Sequence, residues 1–519
     1  MSDSTALIRS LILFGIVLPL AILLGYMAVK LPDMDSASLV VVGLVAGVIS
    51  LPLLLKWHHQ LLFLGWNAVA VVFFLPGRPE LWMFMGVVSF TIMIIQRALS
   101  SEVQMNPVPW MLAPLLFILA VVVGTAYMTG GIHLGSLGAD SLGGRKYLYM
   151  IAAILGFIAM TSLRIPEKKA GFYLAAYFLG GFTNVMAHVV HLGGSWLGFL
   201  LIIFPAQSGS TIFGTEDSSL AQSGVTRDYG LSFSCMAGVF YMLARYGLKN
   251  IFQGGLFKKL CFLILFAGSI LGGFRSFLIL ILMTSFFLFW FEGLFRTKYV
   301  ALPLAGLLFI LVTAPFANKL PDTIQRSLAF LPVNISPQVR LEAESSTLWR
   351  VNMWKKLLPE IPRYFWLGKG CEANTAEFVS TVNFQSRQMG SGTEAQEMSG
   401  DYHNGPLSVL IPFGVWGMIG WLWFLAAGAR TLYLNHRHGP AHLQVVNSFL
   451  LALFLARIIL FFGVFGGFET DLAVFVGLVA LGICLNGGVG RPAKNPAVLA
   501  QSRKPKLRQP VRFAPGLPR

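Results

Sequence analysis

Three basic side chains from distant parts of the chain are of types that could act on a phosphorylated substrate. Arg275 lies in the stretch GGFRSF, Arg227 in GVTRDYG and His403 in SGDYHNGP. A guanidinium is always charged, and its planar fork matches phosphate oxygens. An imidazole titrates near neutral pH and can take a proton from a hydroxyl. If the three side chains meet, one site would both bind phosphate and activate a hydroxyl group.

Polar neighbours extend this candidate site. Asp401 lies two residues before His403 and could orient its imidazole, and Asn404 could hydrogen-bond a substrate. Arg350, in a separate polar stretch, could contact a phosphate or a glycan. These residues are predicted to bind substrate rather than to perform the chemistry.

Each of these residues also has a structural alternative. Arg275 could mark a helix end and extend its guanidinium to the membrane surface. Arg227 could form a local ion pair with Asp228, and His403 could cap a helix. Arg350 could lie on a solvated helix face. The chemical hypothesis therefore depends on the fold bringing these segments together.

The chain that must position these residues has the composition of a membrane protein. Of its 519 residues, 56% are hydrophobic and only 12% are charged, whereas soluble proteins carry about 25% charge. The apolar runs are long enough to cross a bilayer as helices, and barrel strands would instead be short and alternating. We therefore predict an all-α polytopic membrane protein with about 12–14 transmembrane helices.

Fourteen apolar runs are candidates for spanning helices. The gaps rich in Lys and Arg are predicted to be cytoplasmic, and the segment from about 316 to 404 then lies on the other side. A shorter run at 195–206 is predicted to be re-entrant or interfacial. The fourteen runs lie near 7–29, 38–55, 60–77, 81–96, 109–129, 146–163, 170–190, 231–247, 258–273, 275–295, 298–315, 405–428, 445–466 and 469–487.

This pattern divides the chain into five parts. They are the N-terminal transmembrane helices (1–190), an arginine segment with the central transmembrane helices (191–315), a large external loop (316–404), the C-terminal transmembrane helices (405–487) and a basic disordered cytoplasmic tail (488–519).

The large loop contains a predicted amphipathic helix in SSTLWRVNMWKKLLPEIPRYFWLGKG. Ser345 or Ser346 would cap its start and Pro362 would end it, before a turn at Gly368 and Gly370. A stripe of apolar side chains at helical spacing would face the membrane helices, so that the helix lies over them as a lid. The stripe consists of Leu348, Val351, Trp354, Leu358 and Ile361.

Other classes of site have weaker support. Three of the four cysteines fall inside apolar runs, so a disulfide framework is not expected. His188 and His191 have metal-compatible spacing, but no neighbouring carboxylate or cysteine completes a ligand set. The net charge of +16 is concentrated beside apolar runs, which indicates membrane orientation and lipid contact rather than nucleic-acid binding.

Three motifs occur in a recognisable order. GGFRSFLILIL opens an apolar helix, RVNMW through PRYFWLGKG ends the loop in a Gly-x-Gly turn, and HNGPLSVLIPFGVWGMIGW begins the next helix. In this order the chain resembles the O-antigen ligase and polymerase superfamily of bacterial membrane glycosyltransferases. The resemblance covers roughly residues 220–430, and TRDYG is similar to the family's earlier arginine segment.

The resemblance implies a GT-C-like helical fold that transfers a glycan from undecaprenyl pyrophosphate. Arg275 and Arg227 would hold the pyrophosphate, and His403 would activate an acceptor hydroxyl as general base, with no metal or other cofactor. The implied partners are the lipid-linked glycan, an acceptor glycolipid or growing glycan, and membrane lipids. The implied location is the bacterial inner membrane, with several spans and a periplasmic active site.

Three other functions remain open from the sequence. A transporter or flippase of lipid-linked glycan would also place arginines on a lipid path, although it would need polar residues through its middle and on both faces. A protein O-oligosaccharyltransferase would use the same donor with a protein hydroxyl as acceptor. A scaffold or sensor would make His403 and Arg275 dispensable.

Overall fold

A computed structural model describes residues 36–75, 77–99, 108–129, 143–205, 228–371 and 400–492. The predicted run 7–29, the residue Arg227 and most of the basic tail lie outside these ranges. The helices of seven or more residues are, in chain order, α1 (Ser36–Gly65), α2 (Leu81–Leu99), α3 (Pro109–Thr129), α4 (Gly144–Thr161), α5 (Ala170–Leu179), α6 (Met186–Gly193), α7 (Tyr229–Gln253), α8 (Leu256–Leu271), α9 (Arg275–Phe291), α10 (Ala301–Thr313), α11 (Asp322–Leu328), α12 (Pro337–Leu357), α13 (Gly405–His438), α14 (Gln444–Gly463) and α15 (Phe468–Asn486).

Long apolar helices dominate the described part of the chain. Eight helical segments in it are long and apolar enough to cross a bilayer. Helices suit this environment because each backbone N–H and C=O can be satisfied within its own segment. The structure confirms the predicted all-α polytopic membrane fold.

The predicted spans at 38–55 and 60–77 are wrong as separate helices. Residues 36–65 form the single helix α1, and the chain then folds back without helix until Leu81. In this connection Val71 pairs with Glu80 in an antiparallel bridge. Apolar character alone did not reveal the break, because the connection is itself largely apolar.

The C-terminal helices form the centre of the membrane core. Trp421 of α13 is fully buried, and its ring lies 5.3 Å from Phe461 of α14 and 5.2 Å from Phe468 of α15, measured between ring centroids. Edge-to-face contacts of this kind stabilise aromatic clusters beyond simple burial. The three helices that follow the loop therefore pack as a unit.

Helix α13 is broken near its start, and the end of the loop docks into the break. Gly414 has φ +62°, outside the helical region. Lys369 N donates to Ile411 O at 2.7 Å and Gly370 N to Pro412 O at 3.0 Å. A freed backbone carbonyl within a membrane needs a partner of this kind. The predicted turn is present, since Gly368 and Gly370 both have positive φ.

The loop helix differs from its predicted form in start, end and buried face. Helix α12 begins at Pro337 rather than after Ser345, and Pro362 lies in the short helical turn Ile361–Tyr364 instead of ending a helix. Leu348 is 60% exposed and Leu358 54% exposed, whereas Trp354 and Ile361 of the predicted stripe pack against the buried cluster, so only part of the stripe is buried.

The buried face of α12 instead packs on the start of α13. Met353 and Leu357 pack with Tyr402, Leu407 and Ile411. The helix therefore lies against the first turns of α13, beside His403.

The short run near 195–206 does not form a spanning helix in its described part. Residues 195–205 contain the 3-10 turn Ser195–Leu197 and the helical turn Leu200–Ile203. Val71 N donates to Ile203 O at 2.8 Å, so this segment packs on the connection between α1 and α2.

Candidate active site

His403 lies immediately before a membrane helix in a strained backbone conformation. Its φ is +47°, a left-handed value that is uncommon for residues other than glycine. Asn404 follows as the N-cap of α13, and its Oδ1 accepts a hydrogen bond from Leu407 N at 3.0 Å. Strain of this kind often occurs at functional sites, where the surrounding structure holds it in place.

The imidazole of His403 is enclosed by two aromatic rings and faces a carboxylate. Ring centroids of Trp349 and Phe465 lie 5.3 Å and 5.1 Å from it. Asp401 Oδ1 lies 3.5 Å from Nδ1, which is long for a hydrogen bond. Catalytic hydrogen bonds are often long before substrate binds. The histidine side chain retains 21% exposure, so it remains accessible.

The surroundings of His403 keep its imidazole neutral. Burial lowers the pKa of His403 below its usual value, the carboxylate of Asp401 raises the pKa, and the Arg350 guanidinium lowers it. The net direction is downward. A neutral imidazole can accept a proton, so these surroundings suit a general base.

Arg350 joins this group through α12. Its guanidinium carbon lies 6.0 Å from the ring centroid of Phe465, within cation–π range. The fold thus brings together four of the predicted site residues, Arg350, Asp401, His403 and Asn404. The side-chain amide oxygen of Asn404 is used in capping, a role that leaves its amide nitrogen for other contacts.

Arg275 is the first residue of α9 and follows a closely packed glycine turn. A Cβ at Gly272 would lie 2.0 Å from Ser232 Oγ and 2.2 Å from Asp228 O, so only glycine fits. Asp228 N donates to Gly272 O at 3.3 Å. The residue that follows Arg227 in the chain is therefore bonded to the turn that precedes Arg275.

Asp228 itself is held by a histidine that the sequence suggested only as a metal ligand. Nε2 of His188 is in close contact with Asp228 Oδ2, and Asp228 Oδ1 accepts from Leu231 N at 2.9 Å as the N-cap of α7. Within the described ranges, no three His, Cys, Asp or Glu side chains are grouped so that they could hold a metal ion. The pair fastens the end of α6 to the start of α7.

One helix of the loop connects the two parts of the site. Arg326 Nη1 donates to Gly273 O at 3.2 Å, and its Nε donates to Glu342 Oε2 of α12 at 2.6 Å. Trp349, beside His403, follows Glu342 by seven residues, which is about 10 Å along one helix face. Helix α12 therefore spans from the Arg275 turn to His403. The Arg326–Glu342 pair was not predicted from the sequence.

A second unpredicted pair lies between α14 and α15. Arg457 Nη1 is 3.2 Å from Asp471 Oδ1, and Asp471 Oδ2 accepts from Gly467 N at 3.0 Å. Charges within a membrane are rare and are usually paired. Arg457 is the single charged residue of the predicted run 445–466, and this isolation was the signal that could have identified it.

The helix that carries Arg457 also contacts both parts of the site. Helix α14 packs along α9, which begins at Arg275, and along α13, which begins two residues after His403. A Cβ at Gly405 would lie 2.3 Å from Phe461 O, one helical turn beyond Arg457. The start of α13 is thus fixed against α14.

Fold and site together define a polytopic helical membrane protein with a His–carboxylate–Arg group where a polar loop meets the membrane helices. A family model described as O-antigen ligase matches residues 260–422. The match confirms the predicted resemblance of this segment to the O-antigen ligase and polymerase superfamily, and it supports a membrane glycosyltransferase of that type. No curated protein matches the chain. The matched segment includes Arg275 and His403 but not Arg227.

Proposed function

We propose that this protein transfers a glycan from an undecaprenyl-pyrophosphate donor to an acceptor hydroxyl, as an O-antigen ligase or a polysaccharide polymerase does. The observation that carries the proposal is the His403 group. A neutral, partly exposed imidazole lies between two aromatic rings, with a carboxylate at Nδ1 and a guanidinium close by. The ligase family match over the same residues is independent support.

The reaction follows from these groups. With Nδ1 directed toward Asp401, Nε2 of His403 takes the proton of the acceptor hydroxyl. The acceptor oxygen then forms a bond to the anomeric carbon of the donor sugar, and the bond from that carbon to the pyrophosphate oxygen breaks. The pyrophosphate leaves with the electron pair, and the imidazolium later releases its proton to water.

The leaving group determines the role of the arginines. Arg275, at the start of α9, and Arg227, next to Asp228, would bind the pyrophosphate and stabilise the charge that develops on it. Fixed guanidiniums in a partly desolvated site stabilise such charge strongly. Arg350 would contact the glycan or its phosphate beside His403. No metal takes part in this scheme.

The proposed location is the bacterial inner membrane, with the site at the periplasmic ends of the helices. The lipid carrier places its pyrophosphate at the membrane surface, and His403, two residues before α13, would lie at the same level. A carrier protein would instead need polar side chains through the middle of the membrane. A histidine, a carboxylate and an arginine grouped beside the start of α13 are the groups that a transfer reaction needs, so this arrangement favours transfer over transport.

The test is transfer by purified protein in lipid vesicles. The donor is an undecaprenyl-pyrophosphate-linked oligosaccharide, and three acceptors are supplied separately: lipid A–core, a second lipid-linked glycan and a protein rich in serine and threonine. We expect glycan transfer to the lipid A–core or to the second glycan, which also identifies the acceptor. Absence of transfer to every acceptor, with donor movement across the vesicle membrane, would overturn the proposal in favour of a flippase.

A further inference from the structure

A cavity of about 260 Å³ lies beside the first turn of α4, outside the segment matched by the ligase family. Three charged side chains, Arg78, Glu80 and Arg145, line it together with an apolar wall that includes Leu201 and Ile202. A cavity of this size is slightly smaller than the pockets that hold drug-sized ligands, which begin at about 300 Å³. It therefore suits a small group such as one sugar residue.

The cavity is formed by a fixed backbone frame. Val72 N donates to Pro79 O at 2.9 Å and Leu81 N to Ala70 O at 2.8 Å, so the connection between α1 and α2 folds back on itself. Arg78, at this bend, has φ +43°. A left-handed arginine costs energy of order 1–3 kcal/mol, and such strain is concentrated at ligand sites.

The carboxylate of Glu80 has one oxygen fixed by hydrogen bonds and the other in a long ion pair with Arg145. Oε2 accepts hydrogen bonds from Trp82 Nε1 at 2.7 Å and from the Tyr149 hydroxyl at 2.8 Å. Oε1 lies 3.9 Å from Arg145 Nη2, beyond hydrogen-bond distance. The carboxylate is thus held in orientation while Oε1 keeps its acceptor capacity toward the cavity that Glu80 lines.

The charges determine which ligand fits. An ionised carboxylate only accepts hydrogen bonds, and a guanidinium only donates them. A vicinal diol offers both, so it can donate to Glu80 and accept from Arg145 or Arg78. A phosphate would be attracted by the two arginines but repelled by Glu80, whose carboxylate lies 3.9 Å from the Arg145 guanidinium. The lining therefore favours a polyhydroxyl ligand over an anion.

The first turn of α4 contacts both this cavity and the chain segment that precedes His403. Arg145 lines the cavity, and the next residue, Lys146, forms an ion pair with Glu469 at 3.1 Å. A Cβ at Gly400 would lie 3.4 Å from Lys146 Nζ, so Lys146 also adjoins the short stretch that leads to His403. Arg145 and Lys146 are consecutive residues of α4, so the helix that lines the cavity also adjoins that stretch.

We propose that this cavity is a saccharide subsite, in which Glu80 and Arg145 hold a sugar residue of the glycan substrate while another part of the same glycan reacts at His403. The proposal rests on the transfer function proposed above for its link to the reaction. It assigns the N-terminal third of the chain a role in glycan recognition. Because the subsite is remote from the reacting atoms, it is expected to govern affinity more than the rate of the chemical step.

The test uses Glu80→Gln, in which the amide oxygen can still accept from Trp82 and Tyr149 while an NH₂ replaces Oε1. Arg145→Gln tests the guanidinium as hydrogen-bond donor to the sugar. Arg296→Gln, which changes an exposed arginine outside the cavity, is the matched control. Full-length protein is titrated with the oligosaccharide released by mild acid from the lipid-linked donor. We expect each cavity variant to weaken binding about tenfold, to raise KM for the glycan similarly and to leave kcat within about twofold.

The remaining outcomes distinguish the alternatives. Unchanged saccharide binding in both cavity variants, or displacement of the saccharide by inorganic phosphate, would overturn the subsite. A loss of kcat with unchanged KM would assign Glu80 and Arg145 to structure rather than recognition. If wild-type protein binds the oligosaccharide through Glu80 but transfers nothing, the subsite stands and the transferase proposal fails.

Discussion

Two histidine–aspartate pairs lie near the ends of the membrane helices, and they differ in the geometry of the pair rather than in the exposure of the imidazole, which is 16% for His188 and 21% for His403. His188 is within helix α6, and Asp228 is engaged both by the imidazole and by Leu231 N. His403 precedes its helix with φ +47°, and Asp401 is 51% exposed at 3.5 Å. The first pair is in close contact and joins two helices, whereas the second is loose, so that Asp401 does not hold His403 by a hydrogen bond.

The comparison shows that residue types alone do not define a catalytic pair. His188 has a close partner in a capped helix, so moving it would disrupt α7. His403 is held by aromatic contacts with Trp349 and Phe465 rather than by a tight hydrogen bond. It can therefore change protonation without losing the contacts that position it.

Replacing His403 is expected to have the largest effect. His403→Ala removes the proposed base, so glycan transfer should fall by about 10²–10⁴-fold, while membrane insertion and thermal stability persist. Transfer is measured in vesicles with the lipid-linked donor. Activity within a few fold of wild type would show that His403 is not the base. The functional difference inferred between the His403–Asp401 and His188–Asp228 pairs would then be wrong.

Replacing Arg275 is expected to have the next largest effect. Arg275→Ala removes a fixed positive charge from the leaving pyrophosphate, and kcat should drop by about 10²–10³-fold. Arg275→Lys keeps the charge but loses the planar fork, so it should restore only part of the rate. Arg296→Ala, which changes an exposed arginine in the loop between α9 and α10, is the control and should match wild type.

The pH profile of transfer distinguishes the effect of Asp401 on the pKa of His403 from that of Arg350. Burial lowers its pKa, so the acid limb of transfer should lie below pH 6.5. Asp401 raises this pKa, so Asp401→Asn should move the limb to lower pH. Arg350 lowers it, so Arg350→Gln should move the limb to higher pH. Shifts in the same direction for both variants, measured from kcat/KM between pH 5 and 8, would contradict the arrangement.

The smallest effect on transfer is expected at the structural pair. His188→Ala should lower the melting temperature by several degrees, because Asp228 loses a partner across α6 and α7. At a temperature where the variant is folded, transfer should stay within about threefold of wild type. A loss as large as that of His403→Ala, without loss of stability, would show that both pairs act in the reaction.

Sequence patterns predicted the local features of the site. Arg275 was expected at the start of a membrane helix and His403 immediately before another, and α9 and α13 begin accordingly. The Gly-x-Gly turn was also expected and has positive φ at both glycines. These features depend on nearby residues: apolar runs form helices in a membrane, and glycine occupies left-handed turns.

The sequence predicted only part of the face that α12 buries, because Trp354 of the predicted stripe packs inward while other members do not. Its predicted stripe includes Leu348 and Leu358, which are exposed, whereas Glu342 is buried because Arg326 pairs with it. The helix has apolar side chains on more than one face. Which face of α12 is buried therefore depends on the position of the segments that pack against it.

The sequence alone therefore determined that this is a helical membrane protein, the order of its ligase-like motifs and the residues that begin its membrane helices. The tertiary structure decided which histidine–aspartate pair is close and which is loose, where Arg457 finds its counterion, and that Glu80 lines a cavity. The first set follows from hydrophobicity and backbone preference over one or two turns. The second depends on contacts between residues far apart in the chain, which exist only once the helices have packed.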